Sequence, residues 1–558
     1  MASITFLLMG QAQAVDEATV AWLHNGKVEV ISLSSSSDNL KHDNNTTSYS
    51  ANSKVPLGSL WKLFVYVYLA ETHAQEPVYV CAEKSAATVD EERYCCDPGE
   101  SVTRDSALAR SCAPYFSPMR LGLIKNKWQD YWRLHTTAAW LLDFKNLQPE
   151  TEVALGELLG VLAKISPQGR SEARSAMLET SIQGYGREAW THIGTGIRYK
   201  TYSWHRADGR ALGGAAGWLV DGTPFWFGGL GSSRTVLTSW AKKLAIALPK
   251  PDWRNLNNGG DASCVDVDFF SRYPLHAVWQ INESVPVKSG DLKGRYRLQF
   301  SNGNWLNIVA KSDMFLTQNA EGMPRIAGRF AINDYVARVI DREGSASSVQ
   351  AARALAIAVR SYLVQNAHFS DGCWHITDAS NTQRVSPNPP SEGALAAAWF
   401  TDEIVLNGAT VRYHKEKSGY NRLAWRDVVD RAAEGWNFER ILSVSYPQAT
   451  FATLSGRAEC SRLDAAEIWL KSASANWQIK LRGEPGFEAP DVTPRICALK
   501  NGNPYSDQQR MRIYVRGWSS LNDRITLAHE YLHLALRFHP NGANEDFIER
   551  LARQLIEG

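Results

Sequence analysis

The stretch PKPDWRNLNNGGDAS, residues 249 to 263, can form neither a helix nor a buried strand. Proline, asparagine and glycine recur too densely for any apolar periodicity, and the segment reads as a linker between folded parts. At 558 residues the chain is also too long for one hydrophobic core. The segment, placed at residues 251–264, therefore separates a first module at 15–250 from a second at 265–445. A third module, 446–558, follows SVSYPQAT.

The composition is that of a globular chain, 44% hydrophobic and 21% charged. A net charge of +2 gives no electrostatic footprint for nucleic acid. No run of about 18 or more apolar residues occurs, so no transmembrane segment is expected. ITFLLMGQAQA followed by VDEA has an apolar core and an Ala-x-Ala cleavage pattern ending at Ala14. Residues 1–14 then read as the remnant of a signal peptide, which predicts export to the periplasm. Cys81, Cys95, Cys96 and Cys112 crowd the first module, while Cys264, Cys373, Cys460 and Cys497 are spread widely. None forms a C-x-x-C pair, which favours disulfides over zinc ligation by cysteine. Their connectivity stays open.

In the first module, GWLVDGTPFWFGGLGSS predicts a hairpin turning at Asp221 and Gly222. Short alternating segments from Val265 to Ile326, such as YRLQF and WLNIVA, predict antiparallel sheet. Residues 348 to 366 read as a helix, with Val349, Ala352, Leu355, Ala356, Val359 and Tyr362 in one apolar stripe. HPNG splits two terminal helices.

PLGSLWKLFVY places Ser59 and Lys62 three apart, on one face of a helix. A lysine neutralised by burial accepts a hydroxyl proton, the logic of serine acyl transfer. With RDSALARSCAPYF and RYKTYSW, this order resembles the three motifs of penicillin-binding transpeptidases and serine β-lactamases. The resemblance assigns roles to Ser59, Lys62, Ser111 and Lys200, with Thr201 following the lysine. Ala113 stands where that family has an asparagine. Tyr202 replaces a glycine, and a phenol there is expected to crowd the pocket. The module therefore reads as a penicillin-binding fold with a degenerate site.

INDYVARVIDREGSASSVQAARALAIAVRSYL, residues 332 to 363, resembles the family of stage II sporulation protein D and the amidase enhancer LytB. In that family a strand end leads to a glutamate and then to an alanine-rich helix. Ala352, Ala356, Ala358, Arg360, Ser361 and Tyr362 follow its helix pattern, with Leu355 for the usual glutamine. The resemblance implies a lytic glycosidase of peptidoglycan with Glu343 as its acid. One carboxyl suffices when the sugar's own 6-hydroxyl closes an anhydro ring. The alternative is a solvated glutamate in a loop ahead of a helix. Tyr413 and His414 are candidates for the same groove.

LAHEYLHLALRFHPNGANEDFIERLARQL carries His529 and His533 one helical turn apart, with Glu530 beside the first. Two imidazoles on one face suit a zinc ion, and the adjacent carboxylate suits a general base. A continuing helix would put His539 about 80° around and roughly 15 Å along from His529, too far to share the metal. If Pro540 breaks the helix and a second returns from about Ala543, Glu549 comes level with His533. This resembles the gluzincin arrangement and makes Glu549 the expected third ligand, with Glu545 and His539 as alternatives.

The expected fold is a multidomain α+β chain: a penicillin-binding-like α/β module, a mixed sheet-plus-helix sporulation-D-like module, and a mainly helical zincin-like C-terminal module. The three-part order resembles the YfaQ-type family of proteobacterial envelope proteins, which implies a bacterial α2-macroglobulin-like protein as a partner. The leading reading is an exported peptidoglycan-directed hydrolase combining glycosidase-like and zinc hydrolase-like modules. The alternatives are a zinc metallopeptidase of envelope proteins with wall-binding modules, and a non-enzymatic scaffold.

Overall fold

The computed structural model describes residues 17–35, 49–81, 95, 101–183, 187–205, 209–253, 256, 264–407, 409–414, 416, 422–447, 449–454, 461–490, 493–498, 504–507, 511–536, 539–542 and 544–557. Residues 1–14, expected to be a signal-peptide remnant, and most of the expected linker lie outside them. The chain divides into two compact units. One comprises Met1–Val65, Gly122–Ile165 and Tyr199–Lys250; the other comprises Tyr66–Leu121, Ser166–Arg198 and Pro251–Gly558.

The first unit is built on a five-stranded sheet. Its strands are β1 (Glu17–His24), β2 (Lys27–Ser34), β3 (Arg198–His205), β4 (Ala211–Trp218) and β5 (Pro224–Leu230), in the order β2-β1-β5-β4-β3. β4 and β5 form the expected hairpin, with Trp218 opposite Pro224. Gly222 takes a φ of 84°, and the Thr223 amide donates to Asp221 Oδ1. These are the two properties that Asp-Gly supplies to a tight turn. Helix α1 (Trp61–Thr72) is buried almost all round, from Trp61 to Ala70, as its continuous apolar run requires. Helix α2 (Ser233–Ala247) packs on β4.

In the second unit a seven-stranded sheet runs β7-β8-β9-β10-β6-β12-β11. Its strands are β6 (Cys264–Phe269), β7 (Leu275–Gln280), β8 (Gly290–Phe300), β9 (Trp305–Gln318), β10 (Pro324–Ala331), β11 (His368–Ser370) and β12 (Cys373–Thr377). Strands β7 to β10 form the antiparallel meander read from the alternating segments. Parallel neighbours β6 and β12 bring Cys264 opposite Cys373, and a disulfide joins them. Cys95 and Cys112 form another; Cys81 and Cys497 each take part in a further disulfide.

Helix α3 (Ile332–Glu343) leads through a short turn to α4 (Val349–Asn366), and both pack on helix Glu392–Phe400. In the expected stripe Ala352, Leu355, Ala356 and Val359 are buried, whereas Val349 is exposed. Arg360 is fully buried and donates to the carbonyls of Ala398, Thr401 and Ile404 and to Asn333 Oδ1. It thereby adds charged donors to the carbonyls at the end of helix Glu392–Phe400 and in the turn that follows it. Arg198 is equally buried, 2.9 Å from Asp402 Oδ2.

The C-terminal region is not helical alone. Strands β13 (Ser461–Arg462), β14 (Arg495–Ala498), β15 (Tyr505–Asp507) and β16 (Arg512–Val515) form a sheet in the order β13-β14-β16-β15. Helices α5 (Asp464–Leu481), α6 (Leu521–Ala535) and α7 (Glu545–Glu557) share one core with it, centred on Leu470, Ile496, Ile513, Leu527, Leu532 and Ile548.

Candidate functional site

Helix α6 starts cleanly. Ser520 Oγ accepts from the Asp523 amide and Asp523 Oδ2 from the Ser520 amide, a reciprocal cap. The helix carries His529 and His533 on one face, with their Nε2 atoms 3.1 Å apart. It ends at Ala535, several residues before Pro540. His539 still does not join the pair. Its ring stacks on Phe547 at 4.7 Å, and its Nε2 lies 3.7 Å from Glu484.

Glu545, in the first turn of α7, reaches both histidines. Its Oε2 lies 3.0 Å from His529 Nε2 and 3.5 Å from His533 Nε2. Glu549, expected as third ligand, instead faces the other nitrogen of His529, with Nδ1 to Oε2 at 3.1 Å. The turn explains this arrangement. A side chain on Gly542 would collide with the Leu536 carbonyl at 2.1 Å, so glycine lets the return close tightly against the end of α6. The first turn of α7 then lies beside the Nε2 pair. Gly542 also offers its carbonyl to His533 Nδ1 at 3.1 Å.

Each imidazole is thus held from behind, His529 by Glu549 and His533 by a backbone carbonyl. Partners of this kind fix the tautomer of a metal-ligating histidine and aim Nε2 forward. With both Nδ1–H groups donating, two Nε2 lone pairs and a carboxylate converge, and they require a positive charge among them. Burial disfavours the charged His529 ring, but its hydrogen bonds with Glu545 and Glu549 outweigh this and raise its pKa to about 10. For Glu545, burial opposes ionisation, and the hydrogen bonds from His529 and His533 hold the carboxyl well below the usual range. Among the described residues, this is the one group of three or more His, Cys, Asp or Glu side chains whose ligand atoms lie within 4.8 Å of one another.

Glu343 is neither in a loop nor after a strand end. It is the last residue of α3, whose Ile332, Tyr335, Val336, Val339 and Ile340 recur at helical spacing on the buried face. Its Oε1 accepts from the Arg384 amide at 2.6 Å. Burial raises its pKa, partly offset by that N–H and the Arg384 charge, and Asp378 raises it further. Asp378 is itself raised by burial, against a hydrogen bond from the Val385 amide. Tyr335 donates to Gln383 Oε1, and Gln383 Nε2 bonds Tyr413 Oη at 2.8 Å. Tyr362 meets Tyr413 edge-on, with centroids 6.0 Å apart. Burial, with Asp378 nearby, thus favours the protonated form of the Glu343 carboxyl. His414 bonds the Glu416 amide through Nδ1 and is exposed. The polar run DASNTQ, residues 378 to 383, contributed two residues that the sequence reading passed over.

Lys62, 1% exposed, donates to Ser59 Oγ at 3.2 Å. Lys200 is also buried, and its Nζ donates to the Thr201 carbonyl. Tyr202 does not protrude into a pocket. It shares the inward face of β3 with Lys200, stacks on Trp226 at 6.3 Å, and lies against Gly58 and Gly228. Ser111 belongs to the other compact unit, in left-handed backbone with a φ of 60°.

Residues 87–211 and 421–541 match the family described as "Predicted secreted protein (DUF2300)". The chain is 38% identical over 504 residues to "Uncharacterized protein YfaQ" of Escherichia coli (strain K12), covering 90% of this chain and 89% of that one. Among solved structures it is similar to the transpeptidase domain of the FtsI4 D,D-transpeptidase of Legionella pneumophila, at 13% identity and a TM-score of 0.28. That match covers 42% of this chain and 88% of the other. A class D β-lactamase of Bacillus subtilis matches at 13% identity and a TM-score of 0.27, over 43% and 98% of the two chains. No described helix is long and apolar enough to cross a membrane, and the disulfides are in keeping with export. With identity sustained over nine-tenths of its length, the chain belongs to the YfaQ family of predicted secreted proteins.

Proposed function

We propose that the chain is an exported zinc hydrolase directed at the peptidoglycan envelope, with its metal centre at His529, His533 and Glu545. The observation that carries this is the 3.0–3.5 Å spacing of three ligand atoms on α6 and α7. Ligands about 2.0–2.1 Å from a tetrahedral zinc stand roughly 3.3 Å from one another, so the donor set fits the ion in chemistry and spacing. Zinc held there would supply Lewis-acid polarisation of an amide carbonyl. Glu530, buried next to the first ligand, is suited to take a proton from the attacking water and return it to the leaving nitrogen. Glu549 and the Gly542 carbonyl keep the imidazoles aimed.

A second reading concerns the second module, and the raised pKa of the buried Glu343 carboxyl favours it. A carboxyl that keeps its proton suits protonation of a glycosidic oxygen, in line with lytic cleavage of the glycan strand. The Ser59–Lys62 pair is read as a retained but inactive element of the penicillin-binding-like module. Digestion of purified sacculi by the zinc-loaded chain, with products identified by mass spectrometry, tests both readings. Cut peptide bridges that vanish with Glu530→Gln support the zinc hydrolase. Anhydro-sugar ends that vanish with Glu343→Gln support the glycosidase. Cleavage of envelope proteins with intact sacculi moves the activity to a metallopeptidase whose other modules bind the wall. A bacterial α2-macroglobulin-like protein is the proposed partner, testable by co-purification from the envelope.

A further inference from the structure

Alternation in β7, β8 and β9 turns Val278, Leu298 and Ile308 into the core and leaves the residues between them facing solvent. On that outer face Trp279 pairs with Arg297 across β7–β8, and Arg297 with Asn307 across β8–β9. Trp305 lies two residues before Asn307, on the same face. The two indole centroids are 5.2 Å apart, with planes tilted by 37°. Trp305 stays 45% exposed, although the Arg297 guanidinium stands 4.2 Å from its ring centroid. Leaving large aromatic surface in water forgoes the hydrophobic gain that burial would bring. These rings line an open cavity of about 590 Å³, whose other walls include Gln280, Glu283 and Asn307.

The chemistry of this cavity is specific. Its floor is aromatic, suited to the C–H face of a pyranose ring. Its rim supplies the three amides of Gln280, Asn282 and Asn307, a carboxylate and a guanidinium, which between them donate to and accept from hydroxyl and acetamido groups. An apolar peptide would leave those groups unpaired, and a polyanion would meet Glu283. We propose that this sheet face is a glycan-binding subsite, taking a β-linked pyranose chain with one sugar over the Trp279–Trp305 floor. It stands on a different element from the metal centre and from Glu343, so it acts as a substrate-holding surface and needs no reactive group.

The test is calorimetric titration of the full chain with the hexamer of N-acetylglucosamine and with cellohexaose, beside Trp305→Ala, Trp305→Phe and Trp279→Ala. Binding of either sugar that weakens about tenfold or more in both alanine variants, and is largely kept by Trp305→Phe, is the expected result. Unchanged thermal melting of the variants separates this from unfolding. The proposal is overturned if wild-type protein binds neither hexasaccharide, or if binding survives both alanine substitutions. Phe369→Ala, at an exposed aromatic elsewhere on the same sheet, serves as the control and leaves binding unchanged.

Discussion

His529 and His533 present their Nε2 atoms to each other at 3.1 Å, while their Nδ1 atoms are each tied to a separate acceptor. Two imidazoles do not face each other this way without a shared positive charge. The division of labour between Glu545 and Glu549 follows from which nitrogen each one meets.

Glu545→Ala removes an atom of the donor set, whereas Glu549→Gln removes only the support behind His529. Zinc affinity is therefore expected to fall further in Glu545→Ala than in Glu549→Gln, which should lose about 10–100-fold. Competition titration with a chromophoric chelator ranks the two. The reverse order would return Glu549 to the metal.

Glu343 gives stability a definite pH slope. Its carboxyl pKa is raised in the folded chain by burial, so the native state keeps a proton that the unfolded chain has lost. Stability then falls as pH rises from the unfolded value near 4.5 through the higher folded one. Glu343→Gln should melt above wild type at pH 8, and the difference should vanish near pH 4. Asp378, raised in the same direction, leaves part of the slope in the variant. Melting curves at four pH values measure it.

The buried Arg198 guanidinium depends on Asp402, which also accepts from Asn333 Nδ2 at 2.6 Å. Asp402→Ala leaves that cation only the longer contact with Glu403 Oε1 at 3.4 Å and should cost about 3 kcal/mol in chemical denaturation. Asp402→Asn should cost less, since the amide oxygen still accepts.

The Cys264–Cys373 bridge closes a sequence separation of 109 residues. Replacing both cysteines by serine is expected to destabilise the second unit by roughly 2–5 kcal/mol, most of it through the unfolded chain. Denaturation with and without reductant should show wild type converging on the variant.

Ser59 and Lys62 are in contact, but Ala113 lacks the amide of the resembled family and Tyr202 is a core residue. A fluorescent penicillin is expected to leave the chain unlabelled. A labelled band that disappears in Ser59→Ala would show an active serine.

What the sequence revealed was set by range. His529 and His533 were legible because four-residue spacing fixes a shared helix face. Which carboxylate meets the Nε2 pair was not, since it depends on how closely Gly542 packs against the Leu536 carbonyl; Glu545, one turn before Glu549, is the one that does. The helical spacing of Ile332, Tyr335, Val336, Val339 and Ile340 was present in the sequence, yet the family resemblance drew the reading toward a strand end before Glu343. Strands of two to four residues, as in β13 to β16, are too short to show a period. The Cys264–Cys373 pairing needed the parallel register of β6 and β12, which no local pattern encodes.

The most direct test of the metal centre is zinc content by inductively coupled plasma mass spectrometry of the full chain after equilibration with zinc and desalting. One zinc per chain is expected in wild type, with loss in His529→Ala and His533→Ala at unchanged fold by circular dichroism. Wild-type protein without zinc, or variants that retain it, would contradict the account.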